Sequence, residues 1–357
     1  MSKSSTHGSI MGRWLAPMLA TALLPIASSA LADEELVVYS SRKEQLIKPL
    51  FDAFEKAHGI HVSYQTGKEG PLIERLKQEK TKTPADLLML VDAGNLWYAG
   101  TQGILEQTHS PVLNNQIPAQ YRDPDGRWFG LSVRARTIVY STDRVKPEAL
   151  STYADLADPK WKGRLCLRTS KKIYNKSLVA SMIHHHGESG AEKIVRGWVD
   201  NLAVKPFAKD SHLIKAIEAG ACDVGIVNTY YFGRAESSNP DIPVALFWPD
   251  QSGNGVHVNI SGAGITQHAP HKENAFKLLN WLAGAESQKI LGSMNKEYPV
   301  RGDIPWDPQV ASWGRFVADP MNLAETGKRQ AAAVKLMQRA RRSEERRVGK
   351  ECRSRWS

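Results

Sequence analysis

From residue 35 onward the chain alternates short apolar runs with stretches whose apolar positions recur at helical spacing. ELVVYS reads as a strand, and KEQLIKPLFDAFEKAHG predicts a helix with Leu46, Leu50, Phe51 and Phe54 on one face and Gly59 as its C-terminal stop. IHVSYQT then predicts a strand, GPLIERLKQEKTK a helix and ADLLMLVD a buried strand. Strand, helix, strand, helix, strand is the pattern of a parallel sheet covered on both faces. After a helix around 95–102, RWFGLSVRARTIVYST is β-rich and long enough to pass from one domain into another. A second series follows: strand KGRLCLRTS, helices KSLVASMIHHHG, AEKIVRGWVDNL and SHLIKAIEAG, strand CDVGIVNT, strand-like VHVNISGAGIT and helix ENAFKLLNWLAG. The expectation is an α/β protein of two lobes joined by crossover strands, with residues 33–131 and 256–294 in lobe 1 and 132–255 and 295–340 in lobe 2. A ligand would bind in the cleft between them.

The two ends read differently from this body. The first 32 residues carry Lys3 and Arg13, no acidic residue, and the apolar run WLAPMLATALLPIASSALA, which predicts a secretory leader cleaved near Ala32. Pro17 and Pro25 break that run, and no later stretch offers the roughly 18 uncharged apolar residues of a membrane span. The expected mature protein is therefore exported and soluble. Residues 341–357, RRSEERRVGKECRSRWS, drop the apolar periodicity and read as a foreign basic tail, the other reading being a disordered or nucleic-acid-binding arm.

Charge and cysteine content sharpen the picture. Of the formal net charge of +10, the leader holds +2 and the tail +4, which leaves +4 for residues 33–340 and removes most of the case for nucleic acid. Cys166 and Cys222 are the two cysteines of the body, each on or beside a strand. In an exported chain they invite a disulfide, two buried free thiols being the other reading.

The segments YSSRKEQ, TPADLLMLVDAGNLW, IPAQYRDPDGRWFGLSVRARTIVYS, LADPKWKGRLCLRTSKKIYNKSLVAS, VNTYYFGR, HVNISGAGIT and EYPV occur in an order that resembles a periplasmic ferric-iron-binding protein of a bacterial iron ABC transporter, one of the family 1 extracellular solute-binding proteins. The resemblance spans residues 35–340. It implies a type II periplasmic-binding-protein fold with no enzymatic activity, acting in the periplasm as a monomer that closes around ferric ion and hands it to an inner-membrane ABC permease. It also implies iron ligands at Tyr230 and Tyr231, and at Tyr174 in YNKSL. Some members use a His or Tyr just after the first strand; here Lys43 and Glu44 stand there, so Glu44, a bound anion or water would complete the shell.

Ferric ion is small, highly charged and hard, and prefers anionic oxygen. A phenol, with a pKa near 10, qualifies once it is deprotonated, which a trivalent metal promotes; binding therefore expels protons and acid favours release. Three phenolates balance the +3 charge and leave positions for a synergistic anion such as carbonate. Arg134 and Arg136 are the candidate anion donors, with a solvated strand face as the competing reading, and Ser170 and Lys171 are further donors. An isolated tyrosine pair would ordinarily be rim packing; here the strand before it and a turn at the pair would let both rings reach one ion.

His184, His185 and His186 are a metal-like triplet, yet neighbouring helical residues point about 100° apart, so they read as surface histidines at a helix end closed by Gly187. Capture of an oxyanion or organic anion by the arginines is the alternative function. A secreted metal-dependent hydrolase using the histidines is a remote one.

Overall fold

The computed structural model describes residues 35–354, with side chains through Ala340. The leader and its cleavage site, residues 355–357 and the side chains of the basic tail, Cys352 included, lie outside the described residues. In chain order the elements are β1 (Glu35–Ser40), α1 (Lys48–His58), β2 (His61–Thr66), α2 (Glu69–Glu79), β3 (Leu87–Val91), α3 (Ala93–Thr101), α4 (Pro111–Gln116), β4 (Phe129–Ser141), β5 (Leu165–Cys166) and α5 (Ile173–Asp200). These are followed by α6 (Asp210–Glu218), β6 (Val224–Asn228), α7 (Thr229–Ser238), β7 (Val244–Phe247), β8 (Val258–Ile265), α8 (Lys272–Ala283), α9 (Ala285–Asn295), β9 (Tyr298–Pro299), α10 (Pro308–Ser312) and α11 (Ala324–Ser354). Among the described residues no helix is long and apolar enough to cross a membrane.

The periodicities translate directly into these elements. α1 buries Leu50, Phe51 and Phe54 and ends where Gly59 takes φ 70° and its N–H reaches Glu55 O at 2.8 Å. That left-handed cap suits a residue without Cβ. β1, β2 and β3 pair in parallel as the pattern predicts, and β8 and β4 extend the sheet antiparallel.

β4 ties the two halves together. Its first part, Phe129–Ala135, pairs with β8, while Arg136–Tyr140 pairs with β6 and Ile138–Ser141 with β7. All 13 of its residues are buried. One strand thus belongs to two sheets, with order β2-β1-β3-β8-β4 on one side and β7-β4-β6-β5 on the other. A Cβ at Gly262 would run into Phe129 O, so the close β8–β4 approach depends on glycine there.

Two large hydrophobic clusters flank that strand. One collects side chains from Leu36 to Ala135 and from Val256 to Ala324; the other runs from Ile138 to Ile226 and closes with Ala333, Leu336, Met337 and Ala340 of α11. Tyr298, Val300, Val310 and Leu323 pack in the first cluster, whereas the sequence pattern put residues 295–340 with the second lobe. Sequence proximity to α9 and β9 explains the placement, since β9 pairs with β4 at Ser132 and Val133.

The two helices expected over 176–187 and 191–202 are both present, as the arms of α5 that meet at a kink where Gly187 takes φ 68°, ψ 170°. Two local features differ from the pattern. The tyrosine pair sits in the first turn of α7, directly after β6, where a turn was expected. The backbone of 341–354 continues α11 as helix. Cys166 and Cys222 form a disulfide, with Cα atoms 5.9 Å apart and a separation of 56 positions in sequence. A closed loop of that length is worth about 4 kcal/mol in the chain-entropy account.

Candidate functional site

Between the two clusters lies a cavity of about 750 Å³. Its walls include Arg42, Lys43 and Glu69 from the segments before β4, Arg134 from β4 itself, and Arg168, Tyr174, Tyr230 and Tyr231 from the segments after it. The three tyrosines meet there. Tyr174 stands in the first turn of α5 and the pair in the first turn of α7, so two helix N-termini, the positive ends of their dipoles, open on one spot. The rings of Tyr230 and Tyr231 have centroids 4.5 Å apart, and the Tyr174 and Tyr230 hydroxyls are near enough for each to influence the other's ionisation. Successive helical residues diverge by about 100°, but tyrosine is long enough for both rings to converge.

The phenols are held by donors. Asn228 Nδ2 donates to Tyr230 Oη at 3.1 Å, and Arg168 Nη1 lies 3.5 Å from Tyr231 Oη. Guanidinium carbons of Arg134 and Arg168 stand 5.6 and 5.2 Å from the Tyr174 ring centroid, and that of Arg234 stands 5.2 Å from the Tyr230 ring. Burial, and then the neighbouring Tyr174 and Tyr231, push the Tyr230 hydroxyl well above the ordinary phenol range. Tyr174 is raised by burial as well, with Arg134 working against the rise.

Of the expected anion donors, Arg134 lines this cavity. It is 2 % exposed, and neither Nη1 nor Nη2 has a hydrogen-bond partner. Buried guanidinium nitrogens are costly unless something accepts from them.

Arg136 is two residues further along the same strand and does not line the cavity. Its Nη1 donates to Asp210 Oδ2 at 3.1 Å and Asn228 Oδ1 at 3.0 Å, and its Nε and Nη2 donate to Asn175 Oδ1 at 3.1 and 2.7 Å. It is saturated inside the protein, and it joins the residue after Tyr174 to the residue two before Tyr230. It thereby ties together the starts of the two tyrosine-bearing helices.

Two further expectations also move. Glu44 is exposed and accepts from Tyr64 Oη at 3.1 Å instead of facing the cavity; the short 3₁₀ turn Glu44–Leu46 points it outward. The acidic residues at the cavity are Glu69, Glu218 and Glu297, and Glu297 is paired with Arg42 at 3.1 Å. Ser170 and Lys171 line a different cavity.

Arg168 and Glu69 were not anticipated. Arg168 follows β5 by two residues, and the loop at the end of a sheet strand is where ligand contacts concentrate, which is the signal that would have found it.

The rings of the histidine triplet turn to different partners. His185 Nε2 lies 2.8 Å from Asp319 Oδ2 and His184 Nδ1 lies 3.9 Å from Glu325 Oε2, so the rings serve separate carboxylates. Among the described residues no group of three or more His, Cys, Asp or Glu is placed to hold a metal ion. Three phenol oxygens at one point, once deprotonated, suit a hard trivalent cation instead.

Comparison with known proteins points the same way. Residues 82–317 match the family described as bacterial extracellular solute-binding protein. The chain is 41% identical over 322 residues to iron uptake protein A1 of Synechocystis sp., covering 88% of this chain and 89% of that one. Among solved structures, a Trichodesmium protein in complex with iron and citrate ligands aligns with TM-score 0.83 and 45% identity, covering 86% of this chain and 99% of that chain. Ferric iron-binding protein A of Mannheimia haemolytica, in an open conformation, aligns with TM-score 0.81 and 39% identity over 86% and 98% of the two chains.

Proposed function

The chain belongs to the bacterial extracellular solute-binding proteins, in their ferric-iron-binding branch, and from that membership we propose that it captures ferric ion on Tyr174, Tyr230 and Tyr231 for delivery to a membrane ABC permease. The meeting of three tyrosines from two separate helix starts in one cleft is the observation that carries this reading. The family consists of binding proteins, and a hydrolase built on the histidines has no support.

A bare trivalent ion would meet Arg42, Lys43, Arg134, Arg168, Lys172 and Arg234 around this cavity. Its charge is acceptable only with anionic partners: the three phenolates and, beside them, a small oxyanion or carboxylate whose oxygens accept from the two free nitrogens of Arg134. A volume near 750 Å³ leaves ample room for such an anion, citrate or carbonate being of the right kind. Glu69 is a first-lobe carboxylate within the same walls.

The lobes are those of the two hydrophobic clusters, and closure flexes β4 and β8 so that both walls reach the bound ion. Metal analysis and a visible spectrum of the isolated protein test the proposal. Iron-loaded protein should show a tyrosinate-to-iron charge-transfer band that is lost when Tyr230 and Tyr231 become Phe. A colourless protein that retains no iron would refute it, and tight calorimetric binding of citrate without iron would favour plain anion capture.

A further inference from the structure

A second cavity, of about 650 Å³, lies inside the second lobe behind the loop that carries Arg168 to Lys171. The fold of α5 at Gly187 brings its two arms face to face, and Leu178, Val179, Val195 and Trp198 from those arms form most of the wall. Ile226 of β6 and Met337 of α11 complete it. All six side chains are buried, yet they leave between them a space in the range of small-ligand pockets.

The mouth has one sign of charge. Arg168, Lys171 and Lys205 line it, with Thr169 and Ser170 between, and no acidic side chain is among its lining residues. Arg168 is only 7% exposed; its Nη1 pairs with Asp210 Oδ1 at 3.3 Å while its Nε has no hydrogen-bond partner, and its guanidinium stands in the wall shared with the tyrosine cavity. An apolar chamber with a cationic rim and a buried guanidinium nitrogen left open complements a molecule that is apolar at one end and anionic at the other.

We propose that this cavity is a second ligand site, which takes an amphipathic monoanion: an alkyl or aryl body between the arms of α5 and a carboxylate at Arg168, Lys171 and Lys205. None of the three tyrosines lines it; Arg168 is the residue it shares with the tyrosine cavity, and the variants below leave Arg168 in place.

Decanoate is a suitable probe, titrated into metal-free full-length protein by calorimetry. Saturable binding of one decanoate per chain is expected, with decanol, the neutral counterpart, about tenfold weaker or more, because it cannot satisfy the cationic groups. Val195→Phe fills the chamber and should abolish binding. Lys171→Glu with Lys205→Glu alters only exposed residues and should weaken decanoate about tenfold while far-ultraviolet circular dichroism stays unchanged. The double charge reversal keeps the test decisive should the core variant fail to fold. No saturable binding, equal binding of acid and alcohol, or full affinity in the charge-reversed variant would overturn the proposal. Because iron is absent throughout, a negative result here leaves the charge-transfer experiment untouched, and the reverse holds as well.

Discussion

Tyr174 and Tyr230 must each give up a proton to act as phenolate donors, so affinity for ferric ion is tied to pH. Burial holds both hydroxyls above the ordinary phenol value of 10.0 in the metal-free protein. At neutral pH the free form therefore carries both protons and the loaded form carries neither. The sign follows from mass action: affinity rises with pH, and acid drives release. Two protons set a floor of a hundredfold in Kd per pH unit, about 2.7 kcal/mol, with a further tenfold for a third displaced proton. Because both hydroxyls titrate above 10, the dependence should stay linear across pH 6 to 8. The assay is competition against nitrilotriacetate at a series of pH values, read by the charge-transfer band and corrected for the chelator's own protonation. Tyr230→Phe should lower the slope of log Kd against pH by one. A slope below two in the parent protein, or a slope that Tyr230→Phe leaves unchanged, would refute the phenolate assignment.

Other outcomes follow from the surroundings of the site. Arg134→Leu removes the donors left open beside the tyrosines and should reduce iron retention in the presence of citrate by roughly ten- to a hundredfold, equivalent to about 1.5–3 kcal/mol, with little loss when citrate is absent; equal losses in both conditions would argue against an anion at Arg134. Arg136→Leu strips Asp210 of one of its two arginine partners and should cost about 3–5 kcal/mol in urea unfolding, far more than the cavity-facing Arg134→Leu; similar losses for the two would remove the distinction drawn between them. His257, buried beside the crossover strands, has its imidazole pushed down to about 3 by burial, with Arg136 and Arg134 adding to the effect and Asp319 opposing it. It is neutral in the fold and must charge in the unfolded chain below its ordinary value of 6.5, so stability should fall by about 1.4 kcal/mol per pH unit as pH drops from 6 to 4. His257→Leu should flatten that part of the curve, and an unchanged slope would rule the imidazole out.

The fold was legible because its signals are local. The apolar face of α1 with its glycine stop, the buried runs of β1 and β3, and the long β4 each announce themselves within a dozen residues. The tyrosines were legible through motif order rather than through physics, since nothing in VNTYYFG alone distinguishes a ligand from rim packing.

The arginines were not legible. Arg134 and Arg136 share one strand face, and only the pairing of β4 with β6 at Arg136 and with β8 at Arg134 decides which side chain is neutralised by Asp210 and which is left open. The outward set of Glu44 likewise depends on a hydrogen bond to Tyr64, 20 residues away in sequence. The arrangement of the histidines depends on Asp319 and Glu325, more than 130 residues downstream.

Arg136 occupies the position at which β4 changes sheets, and through Asn175 and Asn228 it grips both tyrosine-bearing helix starts. The three phenol groups are consequently clamped to a single rigid frame on one side of the pivot. A cargo seated on them would travel with that frame whichever way the opposite half swings. Parting the halves alone would uncover the cargo without letting it go, and discharge would need a second event, such as reprotonation of the rings or removal of the accompanying anion.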